Sequence, residues 1–270
     1  MFYQSLRKIF CGVVLGFSLI SLGVSTGQAK DVSINFIANA SLRITDGEHV
    51  LFTDFPYVSA AFGHMAYTYP FIIEQGNDVT TLITNRLADH FDPVTFMTLD
   101  WKVIAPSEVV GDLQKRYVEL NEARDRVVAI LERNRELDQA VRPDEEISVV
   151  LPDPIIKPDT IIVEENLIYG PMQINAIRTV SGETEHYSYI IEWGGKKIYL
   201  SGDTGDISHL ATLPETDIAF ISPWLYENAR KENSLPNSKK IVIYQHKDNE
   251  IIPNCNGCIV PERGEFIPFE

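Results

Sequence analysis

Hydrophobic and polar positions follow two different periods along the chain. From residue 31 to about 105, short apolar runs alternate with turn residues. Ser33–Ile37, Ser41–Ile44 and Val50–Thr53 read as strands, with Asp46-Gly47 as a hairpin turn. A further strand over Val79–Thr84 runs straight into Asn85-Arg86-Leu87-Ala88-Asp89-His90. From 107 to about 138 the period becomes helical: Val110, Leu113, Tyr117, Leu120, Val127 and Leu131 recur at spacings of three, four and seven. Ser107 is the expected N-cap, and Glu108 stands in the first turn, where its charge suits the helix dipole. The other face is charged, as in Glu132-Arg133-Asn134-Arg135-Glu136. This fits an amphipathic helix packed on the domain, or a lid or dimer arm. Residues 142–159 carry four prolines and read as a loop. Strands then return. Met172–Ile177 alternates, and Tyr187–Trp193 and Lys197–Ser201 flank the hairpin signal Gly194-Gly195. Asp217–Ser222 and Lys240–Tyr244 are short buried-type strands separated by a polar, helical stretch. Strands at both ends with helices between them suit a layered α/β domain.

The chain has 270 residues, 44% hydrophobic and 23% charged, enough for a substantial core and unlike a disordered chain. Its formal charge of -15 argues against nucleic acid, whose phosphates call for clustered Lys and Arg. Residues 1–29 stand apart. Arg7 and Lys8 precede an uncharged apolar run from Ile9 to about Val24, and Ser25-Thr26-Gly27-Gln28-Ala29 supplies the small residues of a cleavage site. The expectation is a signal peptide cut after Ala29, with residues 30–270 as the periplasmic or secreted domain. An uncleaved anchor is the alternative. The apolar run is short for a membrane span, and no later stretch is long and apolar enough for one. Beyond the leader the cysteines are Cys255 and Cys258. In an oxidising compartment a disulfide is the default for such a pair, with zinc binding the alternative.

All six histidines follow Ala29. Three places offer chemistry. Asp89-His90 follows the Val79–Thr84 strand, where adjacent carboxylate and imidazole can turn toward one cation. Asp203 lies in Ser201-Gly202-Asp203-Thr204-Gly205, with glycines that admit a cramped backbone, and His246 lies just past the Ile241–Tyr244 run. A His or Asp at several strand ends is the arrangement of a metal held at one edge of a sheet.

Taken together, these segments resemble the metallo-β-lactamase superfamily. Thr84–Pro93 is similar to its Thr-His-x-His-x-Asp-His motif in the form followed by Phe-Asp-Pro, found in the branch of small metal-dependent hydrolases that includes ascorbate-6-phosphate lactonase relatives. Ile198–Gly205 resembles that branch's strand and Gly-Asp-Thr turn, and Leu51-Phe52-Thr53-Asp54 its early strand ending in a structural Asp. His186 falls at the family's middle histidine and His246 at its last. The resemblance implies a four-layer αβ/βα sandwich over nearly all of residues 30–270, with a helical insertion at about 107–160. It implies a second metal position complete in Asp89, His90, Asp203 and His246.

The first position departs from the family. Asn85 and Leu87 replace the His-x-His pair, leaving His186 as its strong donor, and Asn39 stands where many relatives carry a histidine. Leu cannot ligate and an Asn amide oxygen binds zinc weakly. The expectation is one divalent ion, zinc first with iron or manganese as alternatives. That ion would serve a hydrolase of a small ester, lactone or phosphodiester, with Asp89 as the candidate general base. The alternative is a non-catalytic member that binds a metal or small ligand.

Overall fold

The computed structural model describes residues 31–70, 79–252 and 255–269. The leader read over residues 1–29 lies outside the described residues. Among those described, no helix is long and apolar enough to cross a membrane.

Two mixed sheets form the centre. The first holds β1 (Ser33–Ala38), β2 (Ser41–Thr45), β3 (Val50–Thr53), β4 (Val79–Leu82), β5 (Lys102–Ala105), β6 (Asp159–Ile162) and β13 (Phe266–Ile267), in the order β13-β1-β2-β3-β4-β5-β6. The second is ordered β12-β11-β10-β9-β8-β7. Its strands are β7 (Asn166–Tyr169), β8 (Met172–Ser181), β9 (Thr184–Trp193), β10 (Lys196–Leu200), β11 (Ile218–Ile221) and β12 (Ile241–Ile243). Both expected hairpins form, pairing β2 with β3 and β9 with β10 antiparallel. β3 through β6 run parallel, as do β10 through β12. β6 and β7 have no counterpart among the strands read from the sequence, because their polar Asp159, Glu164 and Glu165 surroundings mask the short apolar pairs.

Side-chain alternation builds four layers. Ile198 and Leu200 of β10 and Ile218 and Phe220 of β11 enter the core between the sheets, with Phe36, Leu42 and Phe52 of the first sheet. The intervening Tyr199, Ala219 and Ile221 turn outward onto Leu225, Tyr226 and Ala229 of α3 (Pro223–Lys231). On the far side, Val103 and Ala105 of β5 meet Phe96 of α1 (Pro93–Phe96) and Val109, Val110 and Leu113 of α2 (Ser107–Val141). The order helix, sheet, sheet, helix is the four-layer sandwich expected.

α2 differs from its sequence reading in two ways. Its N-cap is Pro106, which offers no side-chain acceptor, and Ser107 is already helical. The capping comes from another strand. Glu185 on β9 accepts from the Ser107 hydroxyl at 2.8 Å and from the Glu108 N–H at 3.2 Å, while Glu108 accepts from the Glu185 N–H at 3.0 Å. Burial also ends early: Val109, Val110 and Leu113 are the buried residues of this 35-residue helix. Only its first turns pack as the amphipathic reading requires.

Candidate active site

The carboxyl ends of β3, β4 and β10 and the segment after β12 meet at one edge, where parallel strands commonly present a site. At the end of β3, Asp54 adopts φ 43°, and its buried carboxylate ties the edge together. It accepts from the Thr84 N–H at 2.7 Å and the Thr84 hydroxyl at 2.9–3.0 Å, and it faces His90 Nδ1 at 2.9 Å. This fixes His90 with Nδ1–H toward Asp54 and Nε2 toward the site, the second-shell arrangement that orients a ligating imidazole. Burial works to lower the His90 pKa. The Asp54 charge and hydrogen bond, with Asp89 and Asp203 behind them, outweigh it and push the value up to about 9.

Around His90 Nε2 stand Asp89 Oδ2 at 3.4 Å and the Gln245 amide nitrogen at 2.8 Å. His64 Nε2 lies 3.5 Å from Asp89 Oδ2, and Asn39 Nδ2 donates to the Asp89 carbonyl at 2.7 Å. Asp203 feels the charges of this group. Burial raises its carboxyl pKa and the Asp89 charge adds to this, while His90, His64 and a 3.1 Å hydrogen bond from Ser181 oppose it. Four buried polar atoms here find no hydrogen-bond partner among the described residues: Asp89 Oδ1, Gln245 Oε1, Asn39 Oδ1 and His64 Nδ1. Buried polar groups are normally satisfied, so their gathering in residues that surround one imidazole marks a place made for a ligand.

The other expected residues are engaged elsewhere. His186 is buried on β9. Its Nε2 accepts the Asp203 N–H at 2.9 Å, so its proton sits on Nδ1, 2.5 Å from the Thr179 hydroxyl. Both nitrogens are spent. Burial, reinforced by the positive His90, pushes its pKa down to about 3 and keeps it neutral. Gly202 permits this contact, since at φ +61° a Cβ would overlap the His186 ring. Asn85 closes its own turn, accepting from the Leu87 N–H at 2.8 Å and donating to the Thr84 hydroxyl at 3.1 Å. Leu87 is half-buried. His246 does not join the group. Its nitrogens lie 3.0 Å from the Lys247 carbonyl and 2.9 Å from the Pro261 carbonyl, and its ring stacks on Phe36. The cause is one step of backbone: Gln245 takes φ 57°, so its side chain reaches the site and the next residue turns away.

Of the four residues expected around one ion, Asp89 and His90 stand side by side and His246 faces away, while Gln245, one position before it, reaches His90. His64 gave no signal, because it follows a short 3-10 turn over Ala61–Gly63 and no strand. Cys255 and Cys258 are joined as a disulfide, with Cα atoms 5.3 Å apart, and pack beside the outer face of the second sheet.

No family model and no curated protein matches the chain. Solved structures do. It is similar to the metallo-β-lactamase fold protein YhfI from Bacillus subtilis, at 10% identity and TM-score 0.56 over 88% of this chain and 100% of that one. The chain has the metallo-β-lactamase fold. The metallo hydrolase Igni18 from Ignicoccus hospitalis aligns at 13% identity and TM-score 0.54, over 87% of this chain and 97% of that one. An isothiocyanate hydrolase from Delia radicum gut bacteria aligns at 13% and 0.54, over 87% and 98%.

The donors divide when tested against divalent ions. The first position of this fold's centre does not fit, since Asn85 and Leu87 serve the local turn and His186 has no lone pair to give. The second position retains two carboxylates and one oriented imidazole, and Asp89 Oδ1 is buried without a partner, which suits a cation. Among the described residues, no three His, Cys, Asp or Glu side chains already stand as a metal site. The fit is one of donor chemistry, with His246 absent from it.

Proposed function

We propose that this chain is an exported hydrolase of the metallo-β-lactamase fold that acts on a small ester, lactone or phosphodiester with a single divalent ion. Asp89, His90 and Asp203 would hold the ion. The observation that carries this reading is the set of unpartnered buried atoms on Asp89, Gln245, Asn39 and His64. When bound, such an ion lowers the pKa of its water and polarises a carbonyl or phosphoryl oxygen. The chain's own residues do the rest. Asp54 holds His90 in the tautomer that presents Nε2. Asp89, through whichever carboxylate oxygen the ion leaves free, is the candidate to take the proton of the attacking water, with His64 beside Oδ2. Asn39, on the Asp89 carbonyl, fixes the loop that carries both groups.

The second reading, a non-catalytic ligand-binding member, draws support from His186 and His246, whose nitrogens are all turned to other partners. One experiment separates the two. The purified chain is loaded with Zn²⁺, Mn²⁺ or Fe²⁺, analysed for bound metal, and assayed on ester, lactone and phosphodiester substrates. About one equivalent per chain is expected, with turnover falling about 100-fold or more in Asp89→Asn. No retained metal and no turnover with any ion would leave the non-catalytic reading. Export is tested separately by sequencing the N-terminus of the extracytoplasmic protein, which should begin near Lys30.

A further inference from the structure

Past Leu120, which still packs on the domain core, α2 carries an apolar stripe that packing on the domain does not use. Leu120, Ala123, Val127, Ile130, Asn134, Leu137 and Val141 succeed one another at alternating steps of three and four. These are the a and d positions of a heptad repeat, with Leu120, Val127, Asn134 and Val141 at a. The return segment lies along the e side of the stripe, at its proximal half. The Arg124 guanidinium donates to the carbonyls of Pro152 and Asp153 at 3.3 and 3.0 Å, and Val128 and Leu131 on that side are half-buried. The seam stays open: Val127 is 47% exposed, Ile130 59%, Leu137 58% and Val141 79%. A 35-residue helix spans about 52 Å, and a helix of this kind draws most of its stability from tertiary packing. The distal part of α2 has a regular apolar edge, and none of the described residues covers it.

We propose that this edge is a parallel, in-register coiled-coil seam for a second copy of the same chain. Two features identify the occupant. Asn134 is the one polar residue among the a and d positions from Leu120 to Val141. A lone Asn at a is costly against an apolar partner and satisfied against another Asn, which happens when identical helices pair in register. The flanks agree. In a parallel pair, position g of one helix faces position e of the next heptad on the other, and this sets Arg133 against Asp138 of the second copy in both directions. An antiparallel pair would set g against g and crowd Arg126 and Arg133 together. With three heptads at most, the pairing is reversible and concentration-dependent.

Sedimentation of the purified chain over a concentration series tests this. A monomer–dimer equilibrium is expected. Ile130→Glu with Leu137→Glu should abolish it without changing the far-UV spectrum, because both side chains are exposed. Asn134→Leu should tighten self-association by about tenfold. Val141→Cys should form a disulfide between identical positions, which only parallel register allows. A monomer at every concentration up to about 1 mM would overturn the inference. So would a dimer indifferent to the double glutamate variant, or one that never links through Val141→Cys. None of these readouts depends on metal or activity.

Discussion

Replacing Asp54 by Asn should uncouple the site from the fold in a pH-dependent way. The amide keeps the shape of the carboxylate and can still accept from the Thr84 N–H. Its nitrogen then faces His90 Nδ1, a donor against the N–H of the charged ring, so the variant no longer favours the imidazolium. In the metal-free wild type the His90 pKa rises from 6.5 to about 9 on folding, against its own burial and chiefly through Asp54. A shift of that size is worth about 3 kcal/mol. Because the folded state binds the proton more tightly, this stabilisation is complete below about pH 6.5 and is lost as the pH rises through the folded value. Asp54→Asn removes its source. The difference in stability between wild type and variant should therefore be about 4 kcal/mol near pH 6 and shrink to about 1 kcal/mol, the remaining hydrogen-bond loss, near pH 10. Urea melts of chelator-treated protein, followed by far-UV circular dichroism at constant m, measure it. Taking the difference between the two proteins cancels the other groups that titrate over this range. A gap that stays constant, or widens with pH, would refute the Asp54–His90 coupling.

Other expectations follow from the same packing. His246→Ala should leave metal affinity unchanged and lower stability by about 1–3 kcal/mol, whereas Asp203→Asn should weaken metal binding by about 100-fold or more; calorimetric metal titration and urea melts on both variants check this. Glu185→Ala should cost about 1–2 kcal/mol, read as a lower urea midpoint, because it uncaps α2 from across the sheet. Gly202→Ala should cost about 2–4 kcal/mol in the same assay, since the residue has positive φ and its Cβ would overlap His186.

Much of this protein is legible in its residues. Strand alternation, the Asp46-Gly47 and Gly194-Gly195 turns and the helical period after Ser107 are local properties, governed by side-chain sterics and backbone torsions within a few residues. They yield the layered α/β class and the order of elements. The motif spacing pointed to Asp89-His90 and Gly202-Asp203, which follow the ends of β4 and β10 within short turns. What the tertiary structure alone decided lies beyond such local spacing. A single left-handed residue, Gln245, exchanged its own side chain for that of His246 at the site edge. His186 gave its lone pair to the Asp203 amide, a bond between residues 17 apart in sequence. His64 arrived on a loop with no periodic signal, and the cap of α2 came from Glu185, 78 residues away from Ser107. Each of these depends on a torsion or hydrogen bond set by packing between distant segments, and local sequence patterns carry no record of such bonds.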